Sequence, residues 1–324
     1  MRVVVVGRTR YLRVESGLAR ALRRAGHSAI QIDDRRLRQR IGRKAGTLWL
    51  RARVALYRPD HLIMFKPLDV EPWALESIRG HTHITQWYRD LTPPPDPDLD
   101  KLVARARHAH DVFLTAGGQA PEWRARGVPN VSWLPNAADR DVDKPLPPDP
   151  SLKCDVAFIG RGVWPGPDYS RAEFLCRLAE KFHVRVWGEE WDRWAKPLGW
   201  DGSTAYGDKF ARICASAKIV IDIQPALWAK LNDPLYSSNR MVRVMSCGGF
   251  CLSQGAPDLQ RLFKEAEHAA WYQTDDDAIA QIDRYLTDDA LRERVRVHGR
   301  DHVHAHHMID NRVHHLLTGE HYAP

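Results

Sequence analysis

The chain has 324 residues, 44 % of them hydrophobic, enough for two domains of ordinary size with real cores. No apolar run approaches the roughly eighteen residues of a membrane-spanning helix, and the first residues read as a strand rather than a signal peptide, so a cytoplasmic location is expected. Five scattered cysteines form no C-x-x-C pair and indicate neither a disulfide framework nor a zinc site. The net charge of +7 is uneven: residues 1–55 hold 15 Arg or Lys against 3 acids, and the rest is net acidic. Such asymmetry fits an anionic partner for the first domain, whether nucleic acid, a lipid surface at the membrane periphery or an acidic acceptor. It also fits a GC-rich genome that places arginine on solvated helix faces.

In chain order, residues 3–6 are a β-branched run ended by Gly7, a strand buried on both faces. Residues 16–25 have helical spacing, and residues 29–32 give a second strand. This β-α-β unit predicts a parallel sheet covered by helices. The pattern repeats as strand 61–66, helix 71–78, strand 82–87, a Pro-rich loop at 93–98, helix 102–109, strand 112–115, helix 121–126 and strand 131–134. Residues 139–150, polar and Pro-rich, read as a linker. The alternation restarts with strand 155–159, helix 171–181, strand 184–187, helix 208–216 and strand 217–223. Helix 239–247, strand 250–253, helix 258–264 and polar helices over 276–286 and 291–317 complete it. The predicted domains are 1–140, 151–305, and a C-terminal helix and tail over 306–324 that packs back on the first domain. Two α/β halves imply ligand sites at the carboxyl ends of the strands, facing across a cleft.

The most informative stretch is 237–253, SSNRMVRVMSCGGFCLS. A polar loop with Ser238, Asn239 and Arg240 opens a helix whose N-terminal N–H groups suit phosphate. Arg240 adds a bidentate donor, Arg243 a second cation, and Gly248-Gly249 leads into a strand. An ordinary polar cap with a Gly-Gly stop is the plain alternative. Gly160-Arg161-Gly162 ends a buried strand at the ligand edge, where glycine allows close approach and Arg161 reaches a phosphate. Tyr206-Gly207 precedes a helix, where the aromatic can stack on a base or simply pack on the rim. Asp90, after a strand ending in Trp87-Tyr88, is the best candidate base; His81 and His83 lie at the wrong strand end. Lys66 ends a strand and could meet acceptor or phosphate.

Other signals are weaker. The tail histidines, with His302 and His306 one turn apart, lack the partners of a zinc site. Asp139, Asp141 and Asp143 lack the glycine and glutamate of a calcium loop. Asp96 and Asp98 form a D-x-D inside a Pro-rich loop. No metal site is expected. Trp164, Trp191, Trp194, Trp200 and Trp228 flank the proposed ligand loops, where sugars stack on aromatics.

The runs YGDKFARICASAKIVIDIQ (206–224), NRMVRVMSCGGF (239–250), DLQRLFKEAEHAAWY (258–272) and HMIDNRVHHLL (307–317) resemble the C-terminal domain of the spore-maturation CgeB-like glycosyltransferases. LIMFKP (62–67), TQWYRD (85–90) and TAGGQAPEWRARGVPNVSWLPNAAD (115–139) resemble the N-terminal half of that family in the same order. The resemblance implies a GT-B fold, with two Rossmann-like domains. A nucleotide-sugar donor would sit on the second, and an acceptor of unknown chemistry on the first. Ser238, Asn239, Arg240, Gly248 and Gly249 would then hold the diphosphate. Gly160 and Arg161 would lie near the phosphates, Tyr206 and Gly207 near the base, and Gly7 and Arg8 along the cleft. No cofactor or metal would be needed, because basic groups and helix termini stabilise the leaving diphosphate. Retaining relatives carry a ribose-binding glutamate and a second acid where this chain has Arg243 and Leu235. That departure keeps open a catalytically silent nucleotide- or sugar-binding protein on the same fold. A nucleotide-sugar epimerase is a third reading, and nucleic-acid binding rests only on the basic N-terminus.

Overall fold

The computed structural model describes residues 1–92, 98–163, 168–224, 233–236 and 238–323. Pro93–Pro95, Asp96, Pro97, Trp164, Trp228 and Ser237 lie outside the described residues. The chain divides into two compact units, one of residues 1–136 with 309–324, the other of residues 137–308.

The first unit holds β1 (Arg2–Val6), α1 (Val14–Arg24), β2 (Ser28–Ile32), α2 (Asp34–Ile41), α3 (Arg43–Tyr57) and β3 (His61–Met64). It continues with α4 (Pro72–Arg79), β4 (His83–Tyr88), α5 (Leu99–Ala106), β5 (Asp111–Leu114), α6 (Ala120–Ala125) and β6 (Val131–Trp133). All six strands are parallel, in the order β2-β1-β3-β4-β5-β6. The apolar strand runs are buried on both faces, as a parallel sheet covered by helices requires. The C-terminal segment Ile309–Pro324 belongs to this unit. There Arg312, fully buried, donates to the Pro135 carbonyl, and Asp310 forms an ion pair with Arg24 at 2.8 Å.

The second unit contains β7 (Cys154–Ile159), α7 (Ser170–Ala179), β8 (Val184–Trp187), α8 (Asp208–Ser216), β9 (Ala217–Asp222) and α9 (Asn239–Ser246). β10 (Cys251–Gln254), α10 (Leu259–Leu262), β11 (Ala270–Tyr272), α11 (Asp275–Thr287) and α12 (Asp289–His306) follow. Its parallel sheet is ordered β11-β10-β9-β7-β8. The chain steps from β7 outward to β8, then returns to place β9 on the other side of β7. The crevice beyond the carboxyl ends of β7 and β9 is therefore the topological switch point of this sheet.

Three features depart from the sequence pattern. The helix expected over 291–317 is interrupted: α12 stops at His306, a 3-10 turn spans Ile309–Arg312, and α13 (Val313–Thr318) resumes. Residues 139–150 are anchored within the second unit, with Asp139 and Asp143 buried. Trp191 is a buried core residue rather than a sugar platform, because its indole N–H donates to the Gly160 carbonyl at 2.9 Å.

Candidate functional site

β7 and β9 end side by side, at Ile159 and Asp222. Asp222 follows the apolar run Ile219–Ile221 at the end of β9 and is completely inaccessible to solvent. A carboxylate in that position needs partners, and the loop before α9 supplies them. Ser238 Oγ donates to Asp222 Oδ1 at 2.7 Å, and the Arg240 guanidinium forms an ion pair with the same oxygen. Ser253 Oγ donates to Oδ2 at 3.2 Å, and the Tyr272 hydroxyl donates to the Asp222 backbone carbonyl at 3.1 Å. Ser238 also caps α9, its Oγ accepting the Arg240 N–H at 3.1 Å. One serine hydroxyl thus fixes the helix start and spends its proton on the buried acid.

Arg240 reaches across the end of β7. Its Nε donates to the Ile159 carbonyl at 2.6 Å, and its guanidinium lies 4.5 Å from the centre of the Phe158 ring. Gly160 makes this crossing possible: a Cβ there would sit 2.6 Å from Arg240 Nη2. A second arginine completes the cluster. Arg171, in the first turn of α7, is buried, lies 5.1 Å from the same ring, and donates to the carbonyls of Arg161 (2.9 Å) and Ile223 (3.0 Å). Burial, and then the neighbouring Arg240, pull the Arg171 guanidinium down to about 10, with Asp222 opposing the shift. Arg240 pairs with the buried carboxylate and Arg171 only feels its charge, so these three groups carry net positive charge beside the N-terminus of α9.

The adjoining loop is tightly packed on this edge. Gly188, at φ +146°, lies so close to Gly160 that a Cβ would stand 1.9 Å from the Gly160 carbonyl oxygen. Arg161 forms an ion pair with Glu190 at 2.5 Å and approaches Glu189 at 3.6 Å. Tyr206 is exposed just before Gly207, which precedes α8 with φ +54°. The loop is tied to the sheet edge where Gly188 N–H donates to the Ser203 carbonyl, and Lys209 Nζ meets Ser203 Oγ at 2.6 Å.

Of the residues singled out in the sequence, Gly160, Arg161, Ser238, Asn239 and Arg240 come together at this edge, with Tyr206 and Gly207 on the loop tied to it. Gly248 and Gly249 do not. They close the opposite end of α9, eight residues or about 12 Å away, where the Gly248 carbonyl accepts Arg296 Nη1 at 2.6 Å and Gly249 packs on Cys214. Arg243 turns inward to a 2.8 Å ion pair with buried Asp143 and lies 4.2 Å from the Phe210 ring centre. Burial alone would lower the Arg243 guanidinium, but Asp143 outweighs it and raises it.

In the first unit, Gly7, Arg8, Lys66 and Asp90 lie at the carboxyl ends of β1, β3 and β4, around its own switch point. The Lys66 ammonium is 3.6 Å from Asp90, both side chains about half exposed. Burial, then Arg13 and Arg35, lower the Arg8 guanidinium, so cations crowd this edge. His83 lies at the opposite edge, bound to Asp111 at 2.6 Å.

The sequence pattern passes over Asp222 and Arg171. The signal was there for the first: a lone carboxylate at the last position of the buried run IVID. Arg171 carries no comparable mark, since it opens an amphipathic helix like many arginines of this chain.

Residues 171–318, just under half of the chain, match the family model described as glycosyl transferase-like. No curated protein sequence matches the chain. Sucrose-phosphate synthase from Thermosynechococcus elongatus superposes with a TM-score of 0.67 at 14 % identity, covering 98 % of both chains. HepE of Anabaena, solved in complex with UDP-glucose, gives a TM-score of 0.67 at 12 % identity over 99 % of this chain and 100 % of its own. An alpha-glucosyltransferase in complex with UDP and DNA gives 0.61 at 11 % identity, covering 95 % and 96 %.

The fold is GT-B.

The Asp222–Arg240 cluster lies within the residues that match the glycosyl transferase-like model. Among the described residues, no helix is long and apolar enough to cross a membrane.

Proposed function

We propose that the protein is a metal-independent glycosyltransferase that moves a sugar from a nucleoside-diphosphate donor to a separate acceptor, in the manner of the CgeB-like enzymes its sequence resembles. The observation that carries this reading is the Asp222–Arg240–Arg171 cluster at the switch point of the second unit. Net positive charge there, beside a serine-capped helix start, is matched to a diphosphate. Arg240 and the helix terminus take up the charge that develops as the diphosphate leaves. Asp222 holds Arg240 and Ser238 in place, and Arg171 ties together the chain that follows β7 and β9. Tyr206 supplies an exposed ring for the base. Arg161, with Glu189 and Glu190, forms a polar rim. UDP is the first donor nucleotide to test, since HepE and the alpha-glucosyltransferase were solved with UDP or UDP-glucose. Gly7, Arg8, Lys66 and Asp90 form the acceptor side, with Asp90 as base for an inverting transfer.

Arg243 and Gly248-Gly249 are assigned to structure in this reading, the first through Asp143 and the second through the turn that ends α9. The same observation favours a second reading. The position where retaining relatives hold ribose with a glutamate is occupied by an arginine neutralised inside the domain. A catalytically silent nucleotide-binding protein would tolerate that exchange.

The test is donor hydrolysis. Purified protein is incubated with UDP-, GDP- and dTDP-sugars, and released diphosphate is measured against Arg240→Ala. Release that depends on Arg240 supports the enzyme. Tight binding without release supports the silent protein, and conversion of one nucleotide sugar into another supports an epimerase.

A further inference from the structure

α3 carries two apolar stripes. One, formed by Gly46, Thr47, Leu50 and Val54, is buried. The other runs along the opposite side: Ala45, Leu48, Trp49, Ala52 and Leu56 fall at i, i+3, i+4, i+7 and i+11, on one helical face. All five are exposed, with Leu48 at 54 %, Trp49 at 46 % and Leu56 at 79 % of their free surface. Ile41, at the end of α2, adds a further apolar side chain at 48 %. Single exposed leucines are ordinary, but three large apolar side chains aligned on one helix face over two turns, with alanines between and before them, are not.

The charge around this row is one-sided. Residues 34–58 hold nine Arg or Lys and one acid, Asp34, whose carboxyl is pushed up to about 7 by burial and by Asp69. Lys44 and Arg51 flank the exposed stripe on one side and Arg53 on the other, all exposed. Long cationic side chains on both borders of an apolar helix face can rise toward lipid phosphates while the leucines enter the acyl boundary.

We propose that α3, with the end of α2, is an interfacial membrane-binding surface that seats the first unit on an anionic lipid bilayer. The charge decides between occupants. A second copy docked by this face would set arginines against arginines, because a two-fold contact is self-complementary only for mixed charge. A nucleic-acid backbone would match the cations but would leave Leu48 and Leu56 facing phosphate and water. An anionic bilayer satisfies both the apolar row and its basic borders.

The test is vesicle flotation of the full-length protein, with vesicles of phosphatidylcholine alone and of equal parts phosphatidylcholine and phosphatidylglycerol. The wild type floats with the anionic vesicles and not with the neutral ones. The pair Leu48→Gln and Leu56→Gln lowers partitioning by about tenfold or more, and the pair Lys44→Glu and Arg53→Glu does the same. Both pairs keep the wild-type melting temperature and any nucleotide-induced shift, which separates this surface from the donor site. Wild type that stays at the bottom of the gradient overturns the proposal. So does an unchanged Leu48/Leu56 variant. A dimer that the leucine pair dissolves would give the face to a second copy. Duplex DNA binding lost only with the charge pair would give it to nucleic acid.

Discussion

Replacing Asp222 by asparagine removes one negative charge from the interior of the second unit and leaves Arg240 without its ion-pair partner, beside a second guanidinium at Arg171. Asp222 is completely inaccessible, and Arg240 is mostly so. Breaking one side of a buried ion pair costs about 3–5 kcal/mol. The partial exposure of Arg240 places this case near about 3 kcal/mol. The second unit spans residues 137–308, and in a domain of that size each kcal/mol lowers the melting temperature by about 2–4 °C. The expected loss is therefore about 6–12 °C, read as a thermal melt by circular dichroism at neutral pH. Asp155→Asn is the control, because that carboxylate pairs with a half-exposed Lys218 at 2.9 Å and surface pairs contribute about 1 kcal/mol or less. Ser238 and Arg240 also lose their common anchor, so nucleoside-diphosphate affinity falls by about tenfold, equivalent to 1.4 kcal/mol. A variant that melts with the control and binds nucleotide like the wild type would refute the role given to Asp222.

Gly160→Ala places a methyl group 2.6 Å from Arg240 Nη2 and 3.0 Å from the Phe158 ring; it should weaken nucleotide binding more than it lowers the melting temperature, measured by titration and melt on the same sample. Arg171→Met deprives the Arg161 and Ile223 carbonyls of their donor and should cost about 2–3 kcal/mol in urea unfolding; an unchanged midpoint would show that the guanidinium does not tie those segments. The histidines predict a pH effect. Burial, then neighbouring His268 and His306, lower His302 to about 4, and burial, then His83, lower His61 to about 4. Both stay neutral in the folded chain while the unfolded chain takes up protons near 6.5. Their contribution is therefore intact above about pH 6.5 and lost as the pH falls toward 4, by about 2 kcal/mol each after allowance for partial hydration. Asp34, raised to about 7, acts in the opposite sense, so the measurement is the difference between wild type and His302→Gln: the wild-type melting temperature should fall relative to that of the variant on acidification, and parallel curves would contradict the assignment.

The β-α alternation was legible because the strands of both sheets are short apolar runs, such as VVVV at residues 3–6 and IVI at 219–221, closed by glycine or acid. The two helices in residues 34–57 were not. Arginines occupy most faces of α2, and the outer stripe of α3 is apolar where solvent would ordinarily demand polar residues. β11 has three residues, too few to show a period. At the site, Ser238 and Arg240 announced themselves through the polar opening of α9, but their anchor is remote in sequence and looks like the end of a core strand. Gly248-Gly249 was a false signal in the same stretch: a parallel β-α-β unit carries the helix from one sheet edge to the other, so residues at its two ends cannot serve one ligand. Arg243 is similar, since its partner Asp143 lies one hundred residues earlier, in a segment that reads as linker.

The most direct test of the central claim is a titration of wild type and Arg240→Ala with UDP, GDP, dTDP, ADP and CDP, each followed as the shift in melting temperature relative to its own ligand-free protein. One diphosphate should stabilise the wild type, by about 2.7 kcal/mol at a hundredfold excess over its dissociation constant, and Arg240→Ala should lose this shift. No shift with any nucleotide, or an equal shift in the variant, would contradict a diphosphate site built on Arg240.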